Sequence, residues 1–526
     1  MTINTSRRGF LKGLATVGAM GAASGCCTCC GEKKIKLAVV GVGGKGYSDW
    51  TPMVATGMAE VVAFCDADAK IYKDSLARAK KEGYGDFEKV PFYTDYRKLL
   101  NDAAILGVEA MTISTPDHAH AAIAILAMKQ KIHVYVQKPL VRTLWELKYF
   151  EKTAKENGVI VQMGNQGSSL NSMRRCTEVL QSGILGDVRE VHVWTNRAVW
   201  PQGFGVRDYV NSRGDKGDPV RPGLDWDSWL GVAKDRPFLD KYPEGAKVYD
   251  PWGIGKNVYH AFTWRGLVDF GAGAFGDMAC HTMNLPFRGL QLADVQDAEC
   301  IQITERNDVA FPAKSIVKLT YRERIAKFGP QAGKKLPAVT LFWYDGYDES
   351  KPAKSANKPD AKLMPKWIKE NGEVPNTGCL IIGTKGQVLM QDDYGAKCAI
   401  ALEKDEKFMD VFAHPVAKAV ARSIPFCSDK ADAAVGGSSV EMKGMGEEHY
   451  AEFLRAIKGV GPVYEQTGSR CFSDLAYCIP QMEGILVGVV AQKVPGKHVW
   501  DTKTQKFGDA AANDFLKPYI RKGWEF

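Results

Sequence analysis

Over residues 35–163, apolar runs of strand length alternate with amphipathic stretches. Ile35–Val40 predicts a strand, with a helix after it to about Thr56. Val61–Cys65 predicts a second strand and Ala69–Lys81 a helix. The alternation continues through strand Ala110–Ser114, helix His118–Lys129, strand Ile132–Val136, helix Thr143–Glu156 and strand Val159–Met163. Continuous apolar strands between amphipathic helices indicate a parallel sheet covered on both faces. The strand ends carry the polar residues: Gly41, Asp66, Thr115-Pro116-Asp117-His118, Gln137-Lys138-Pro139 and Gly164-Asn165-Gln166. Ligands of open α/β sheets lie outside the carboxyl ends of the strands, so these groups should share one edge.

Beyond Gln166 the pattern changes. A helix over Leu170–Gln181 leads to a strand at Val188–Thr195. A long connection rich in Gly, Pro and Trp follows, from Asn196 to about Arg265, and reads as structureless. It holds Trp200, Trp226, Trp229, Trp252 and Trp264. After the segment Gly271–Gly276 and a short helix, strands follow one another: Glu299–Thr304, Ser315–Tyr321, Ala338–Trp343, and a hairpin of Cys379–Ile382 with Gln387–Met390. Runs of strands after a βαβ half predict a second α/β domain built on a large, mostly antiparallel sheet. Helices Glu447–Lys458 and Ser473–Ala491 close it. The expected division is a leader over 1–30, a Rossmann domain over 31–165 and a substrate domain over 166–526.

The first strand stops at Gly41-Val42-Gly43-Gly44-Lys45-Gly46. In a G-x-G-x-x-G loop after a strand, Gly41 allows the tight turn and Gly43 lets backbone approach a pyrophosphate. Gly46 lets helix and strand pack closely. Asp66, at the end of the next strand, can accept both ribose hydroxyls of an adenosine. Its charge would repel a 2′-phosphate, so NAD is favoured over NADP.

Bulk properties narrow the classes. The 526 residues are 45% apolar and 25% charged, as in ordinary globular chains. The net charge of +8 is spread along the chain, with no basic block, and predicts no nucleic-acid partner. No apolar run reads as long enough to span a bilayer. Ser6-Arg7-Arg8-Gly9-Phe10-Leu11-Lys12, before a mildly apolar run, resembles a twin-arginine export signal. Ala23-Ser24-Gly25-Cys26 resembles a lipoprotein cleavage box, with Cys26 the candidate lipid anchor. The expectation is an exported protein, periplasmic or membrane-anchored. Of 13 cysteines, four crowd beside this leader; the rest are scattered through apolar segments and are expected to be buried free thiols.

Asp277 and His281, four residues apart, share a face if helical. A histidine that takes a hydroxyl proton, steadied by a carboxylate, is what alcohol oxidation requires; a surface helix pair is the alternative. His118-x-His120 lacks a third ligand of matching spacing, so no metal is expected. The tryptophans offer faces for a sugar ring or serve as core anchors. Arg197 and Arg265 can donate to hydroxyls or to an acidic group.

Taken together, the glycine loop, Asp66, Thr115-Pro116-Asp117-His118, Lys138-Pro139 and Asp277-x-x-x-His281 resemble the Gfo/Idh/MocA oxidoreductases. Asn196–Gly203, Trp264-Arg265-Gly266 and the ending Tyr519–Trp524 resemble its exported subgroup. The resemblance implies oxidation of a carbohydrate hydroxyl with tightly bound NAD, and a homo-oligomer. Lys138 would be the catalytic-site lysine; Thr115, Pro116, His118 and Asn165 would lie against the cofactor. Arg197, Trp200, Trp264 and Arg265 are the substrate candidates. Some relatives instead cleave glycosides through transient oxidation, elimination and rehydration. One departure stands out: the family usually has Glu before Lys-Pro, and this chain has Gln137.

Overall fold

The computed structural model describes residues 33–526 apart from 249, 251–252, 254, 348–355 and 427–440. The twin-arginine stretch, Cys26 and Trp252 lie outside the described residues.

Six strands form the first sheet: β1 (Ile35–Val40), β2 (Ala59–Cys65), β3 (Phe92–Tyr93), β4 (Ala110–Ile113), β5 (His133–Val136) and β6 (Val161–Met163). All their pairings are parallel. Their order is β3-β2-β1-β4-β5-β6, so the chain reverses direction across the sheet between β1 and β4. That switch opens the crevice where dinucleotides bind in such sheets. The crossovers are α1 (Lys45–Ala55), α2 (Ala69–Lys81), α3 (Tyr96–Leu106), α4 (Asp117–Lys129) and α5 (Leu144–Asn157). Local chemistry sets their starts. Asp68 caps α2 through the amides of Lys70 and Ile71, and Thr143 with Glu146 forms a capping box on α5.

After α6 (Asn171–Gln181) the chain enters a ten-stranded sheet. Its centre pairs Val188–Trp194 with Val339–Gly346 in parallel; the neighbours Lys314–Tyr321 and Gly378–Gly383 join antiparallel on either side. Along Lys314–Tyr321 and Val339–Gly346 buried positions alternate with half-buried ones, the period of a sheet with one packed face. Leu475–Lys493 fills the space between layers, touching α5 and β6 on one side and Val295–Ile303 on the other. Contrary to the sequence expectation, this helix is long and apolar enough to cross a bilayer. Its most apolar stretch is 78% buried within the protein, which accounts for its composition.

The connection expected to be structureless is not. It contains α7 (Phe204–Arg213) and α8 (Trp226–Leu230), and packs its own cluster of Val206, Trp229, Phe238, Tyr259 and Phe270. Trp226 stacks on Trp229, their ring centroids 4.8 Å apart. It docks on the first sheet where β2 ends: Ala69 N–H donates to the Gly223 carbonyl, and Asp225 N–H to that of Ala67. The eight described cysteines are free and buried.

Candidate active site

A cavity of about 950 Å³ starts at the glycine loop and runs along the carboxyl ends of the first sheet to the connection and α9 (Gly273–Thr282). At its nucleotide end, Gly41 has φ +81°, and a Cβ there would lie 2.5 Å from the Ser114 carbonyl oxygen. A Cβ on Gly46 would collide with the Gly41 carbonyl. Among the described residues no side chain caps α1, so the start of this helix is open to an anion. Asp66 lines the cavity. Its carboxylate accepts from Val42 N–H at 2.8 Å and Asp68 N–H at 3.0 Å, which ties the loop to the end of β2. Burial pushes the Asp66 carboxyl up, against those two donors. The cradle, the uncapped helix start and the acid fit a dinucleotide.

At the other end, Lys138 Nζ lies 2.8 Å from Asp277 Oδ1 and 3.0 Å from the Asp277 carbonyl oxygen. Arg265 Nε reaches the same Oδ1 at 3.2 Å. Burial alone would raise the Asp277 carboxyl, but the two cations outweigh it and hold it down at about 2. Asp277 and His281 do share the inner face of α9, yet the carboxylate is committed to Lys138 and Arg265. The imidazole has no hydrogen bond among the described residues; Nδ1 is buried and unpartnered, and the ring lies 4.7 Å from that of Tyr394. Burial, reinforced by the Lys138 charge, pushes His281 well below the ordinary histidine range, and Asp277 only partly opposes this. His281 is therefore neutral at physiological pH. The expected Asp277–His281 couple is replaced by a Lys138–Asp277–Arg265 triad beside a free imidazole.

Thr115, Pro116, Arg197, Trp200 and Trp264 line the cavity. His118 does not. Its ring is buried between Trp229 and Phe270, and Nε2 lies 3.0 Å from the Trp229 carbonyl. At the start of α4, Asp117 takes the inner position, so the next residue points about 100° away. Asn165 is also absent from the lining; it is fully buried, its amide unpartnered. His120 presents both ring nitrogens to carbonyls, of Pro139 and Thr115, pinning that loop to the Lys138 turn. Among the described residues, no group of three His, Cys, Asp or Glu could hold a metal.

Asp117, Lys45 and Phe262 are among the lining residues that escaped assignment from the sequence. Among the described residues the Asp117 carboxyl makes no hydrogen bond, and burial followed by the nearby Asp277 charge pushes it up to about 8. Lys45 projects from the glycine loop onto Asp49 at 2.5 Å. Phe262 is exposed in the connection. Lys45 had a local signal in its place inside the loop and Asp117 in its strand-end motif; Phe262 had none.

Residues 35–165 match the sequence profile of the Gfo/Idh/MocA oxidoreductase family, NAD-binding Rossmann fold. This segment is thus similar to the NAD-binding domain of the Gfo/Idh/MocA oxidoreductases. The chain is 29% identical over 170 residues to glycosyl hydrolase family 109 protein 2 of Akkermansia muciniphila, covering 30% of this chain and 32% of that one. It is 30% identical over 161 residues to inositol 2-dehydrogenase of Salmonella typhimurium, covering 30% and 45%. The chain thus spans less than half the length of these curated relatives. An inositol dehydrogenase homolog from Azotobacter vinelandii, crystallised with NAD+, superposes with TM-score 0.54 at 16% identity over 89% of this chain and 98% of that one. WlbA dehydrogenase from Bordetella pertussis, solved with NADH and UDP-GlcNAcA, gives 0.52 at 14% identity over 89% and 99%. These likenesses show a shared fold across both sheets.

Proposed function

We propose that the protein oxidises a hydroxyl of a carbohydrate or cyclitol, with His281 accepting the hydroxyl proton and Lys138 orienting the oxygen. One observation carries this: an unpartnered, neutral imidazole beside a lysine–carboxylate–arginine triad, in the cavity that begins at the nucleotide loop. NAD, when bound, supplies the hydride acceptor. Lys138 can donate to the substrate oxygen while Asp277 and Arg265 fix its direction. A base must be unprotonated to act, and burial keeps His281 so. The curated relatives, one of them an inositol 2-dehydrogenase, support the substrate class.

A second reading, glycoside cleavage by transient oxidation, is favoured by Asp117. An elimination needs an acid for the leaving oxygen as well as a base for the adjacent C–H. Asp117 is a carboxyl that stays protonated to about pH 8 in the same cavity as neutral His281. The likeness to a family 109 glycosyl hydrolase supports it too.

Single-turnover NAD reduction with monosaccharides, cyclitols and p-nitrophenyl glycosides tests both. The oxidation reading expects NADH and ketone; the cleavage reading expects free sugar without net NADH. His281→Ala should lower the rate about 10²–10⁴-fold, the usual effect of losing a general acid–base group. Retention of most of the rate would remove His281 from the proton path.

A further inference from the structure

The aromatic rings expected to meet a sugar are the wrong ones for that task. Trp200 and Trp264 line the cavity but are 1% and 6% exposed, so neither offers an open ring face to a ligand. Among the described residues that line it, one aromatic ring is exposed: Phe262, at 40%. We propose that Phe262 is the platform on which the apolar C–H face of a sugar ring rests, a specificity-determining contact of this site. The inference rests on the carbohydrate reading above.

The backbone points the same way. Phe262 has φ +87° and ψ −48°, and Thr263 N–H donates to the Ala261 carbonyl at 3.2 Å across it. This is a γ-turn of the rare positive-φ form. A bulky side chain is costly in that region, and the conformation persists only where the surroundings impose it. Glycine would occupy it without strain, so the aromatic costs backbone energy at a position where much of its ring stays exposed.

What holds the turn is part of the chemistry. The Phe262 carbonyl accepts from Arg265 Nη1 at 3.0 Å, and that guanidinium lies 4.5 Å from the Phe262 ring centroid. Trp200 meets the ring edge-on at 5.9 Å between centroids. The same Arg265 bonds Asp277, the partner of Lys138. One guanidinium therefore fixes both the exposed ring and the carboxylate that orients the lysine. A sugar is amphipathic in the matching way, with C–H bonds on its ring face for Phe262 and hydroxyls at its edge for Lys138 and Arg197.

The test compares Phe262→Gly, Phe262→Ala and Phe262→Tyr in the NAD-loaded, full-length protein, using monosaccharides and their p-nitrophenyl glycosides as probes. Phe262→Gly should melt no lower than wild type, because the strain is relieved. Its KM for the best probe should rise about tenfold with kcat within about twofold, since ground state and transition state lose the same contact. Phe262→Tyr should restore the KM. A melting point several degrees lower for Phe262→Gly, or an unchanged KM, would overturn the proposal. If wild type turns over no probe, the oxidation reading has failed, and saturation-transfer NMR with the same sugars decides the platform. Transfer in wild type that is lost in Phe262→Ala supports it, and no transfer in wild type overturns it.

Discussion

Asp277→Asn should be costly for the fold as well as for turnover. The carboxylate is 4% exposed and is shared by Lys138 and Arg265, so the amide leaves two cations facing each other without their common anion. The carboxyl is held at about 2 against an ordinary 3.8, which corresponds to about 2 kcal/mol of stabilisation by linkage. Leaving buried charge uncompensated adds to this, and broken buried pairs cost about 3–5 kcal/mol. The sign follows from the depressed value. The contribution is whole above about pH 4 and is lost as pH falls through 3.8 toward 2. Urea unfolding at pH 7 should therefore show Asp277→Asn less stable by about 3–5 kcal/mol, with the gap narrowing below pH 4. Because Asp277 partly offsets the depression of His281, the variant's imidazole should remain neutral and no new acid limb should appear between pH 5 and 7. An unchanged urea midpoint at pH 7, or a gap that widens as pH falls, would refute the triad as a source of stability.

Asp66→Ser removes the acceptor for the Val42 and Asp68 amides as well as the candidate ribose acceptor. Fluorescence titration should show NADH binding weakened about 10–100-fold and discrimination against NADPH reduced; unchanged affinities for both would place Asp66 outside the cofactor contact. Asp117→Asn should stabilise the protein. The wild-type carboxyl, pushed up to about 8, binds its proton more tightly folded than unfolded, so the native state loses stability as pH rises from 3.8 to about 8. The melting-point advantage of the amide should grow between pH 5 and 8, and a constant difference would show that Asp117 is already ionised.

The first sheet was legible because each of its longer strands is an apolar run ended by a polar residue, and because sheet topology requires those ends to meet. Gly41, Asp66, Thr115 and Lys138 therefore reached one edge on pattern alone. What escaped was structure without a run or a full period. β3 has two residues and α8 has five, and the latter is started by the side chain of Asp225 accepting from Ser228 N–H. Side-chain direction within a motif was also hidden. Asp117 and His118 are neighbours at a helix start, and nothing local says which one faces the cavity. Exposure was hidden in the same way: Trp200 and Trp264 look like sugar contacts in sequence, while Phe262 gains its role only from a backbone conformation that no residue pattern announces.

Gln137, where the family that this chain resembles usually has Glu, also becomes intelligible only in three dimensions. Its amide donates to Asp49 Oδ1 at 3.1 Å, and Asp49 is fully buried on α1. The Asp49 carboxylate also takes Lys45 Nζ at 2.5 Å, the Tyr450 hydroxyl at 2.5 Å and the Ser114 hydroxyl at 2.6 Å. A glutamate at 137 would set a second carboxylate against the first in a buried site, and one of the two would have to take up a proton. A neutral donor suits a position whose neighbour is already an anion. The acid at this spot is Asp49 on α1, and Lys45 of the glycine loop balances it. Lys138 in turn draws its counter-charge from Asp277 on α9 and not from the residue before it. The lysine's setting therefore depends on where α9 holds Asp277, so substitutions that shift α9 should disturb Lys138 as surely as changes next to it.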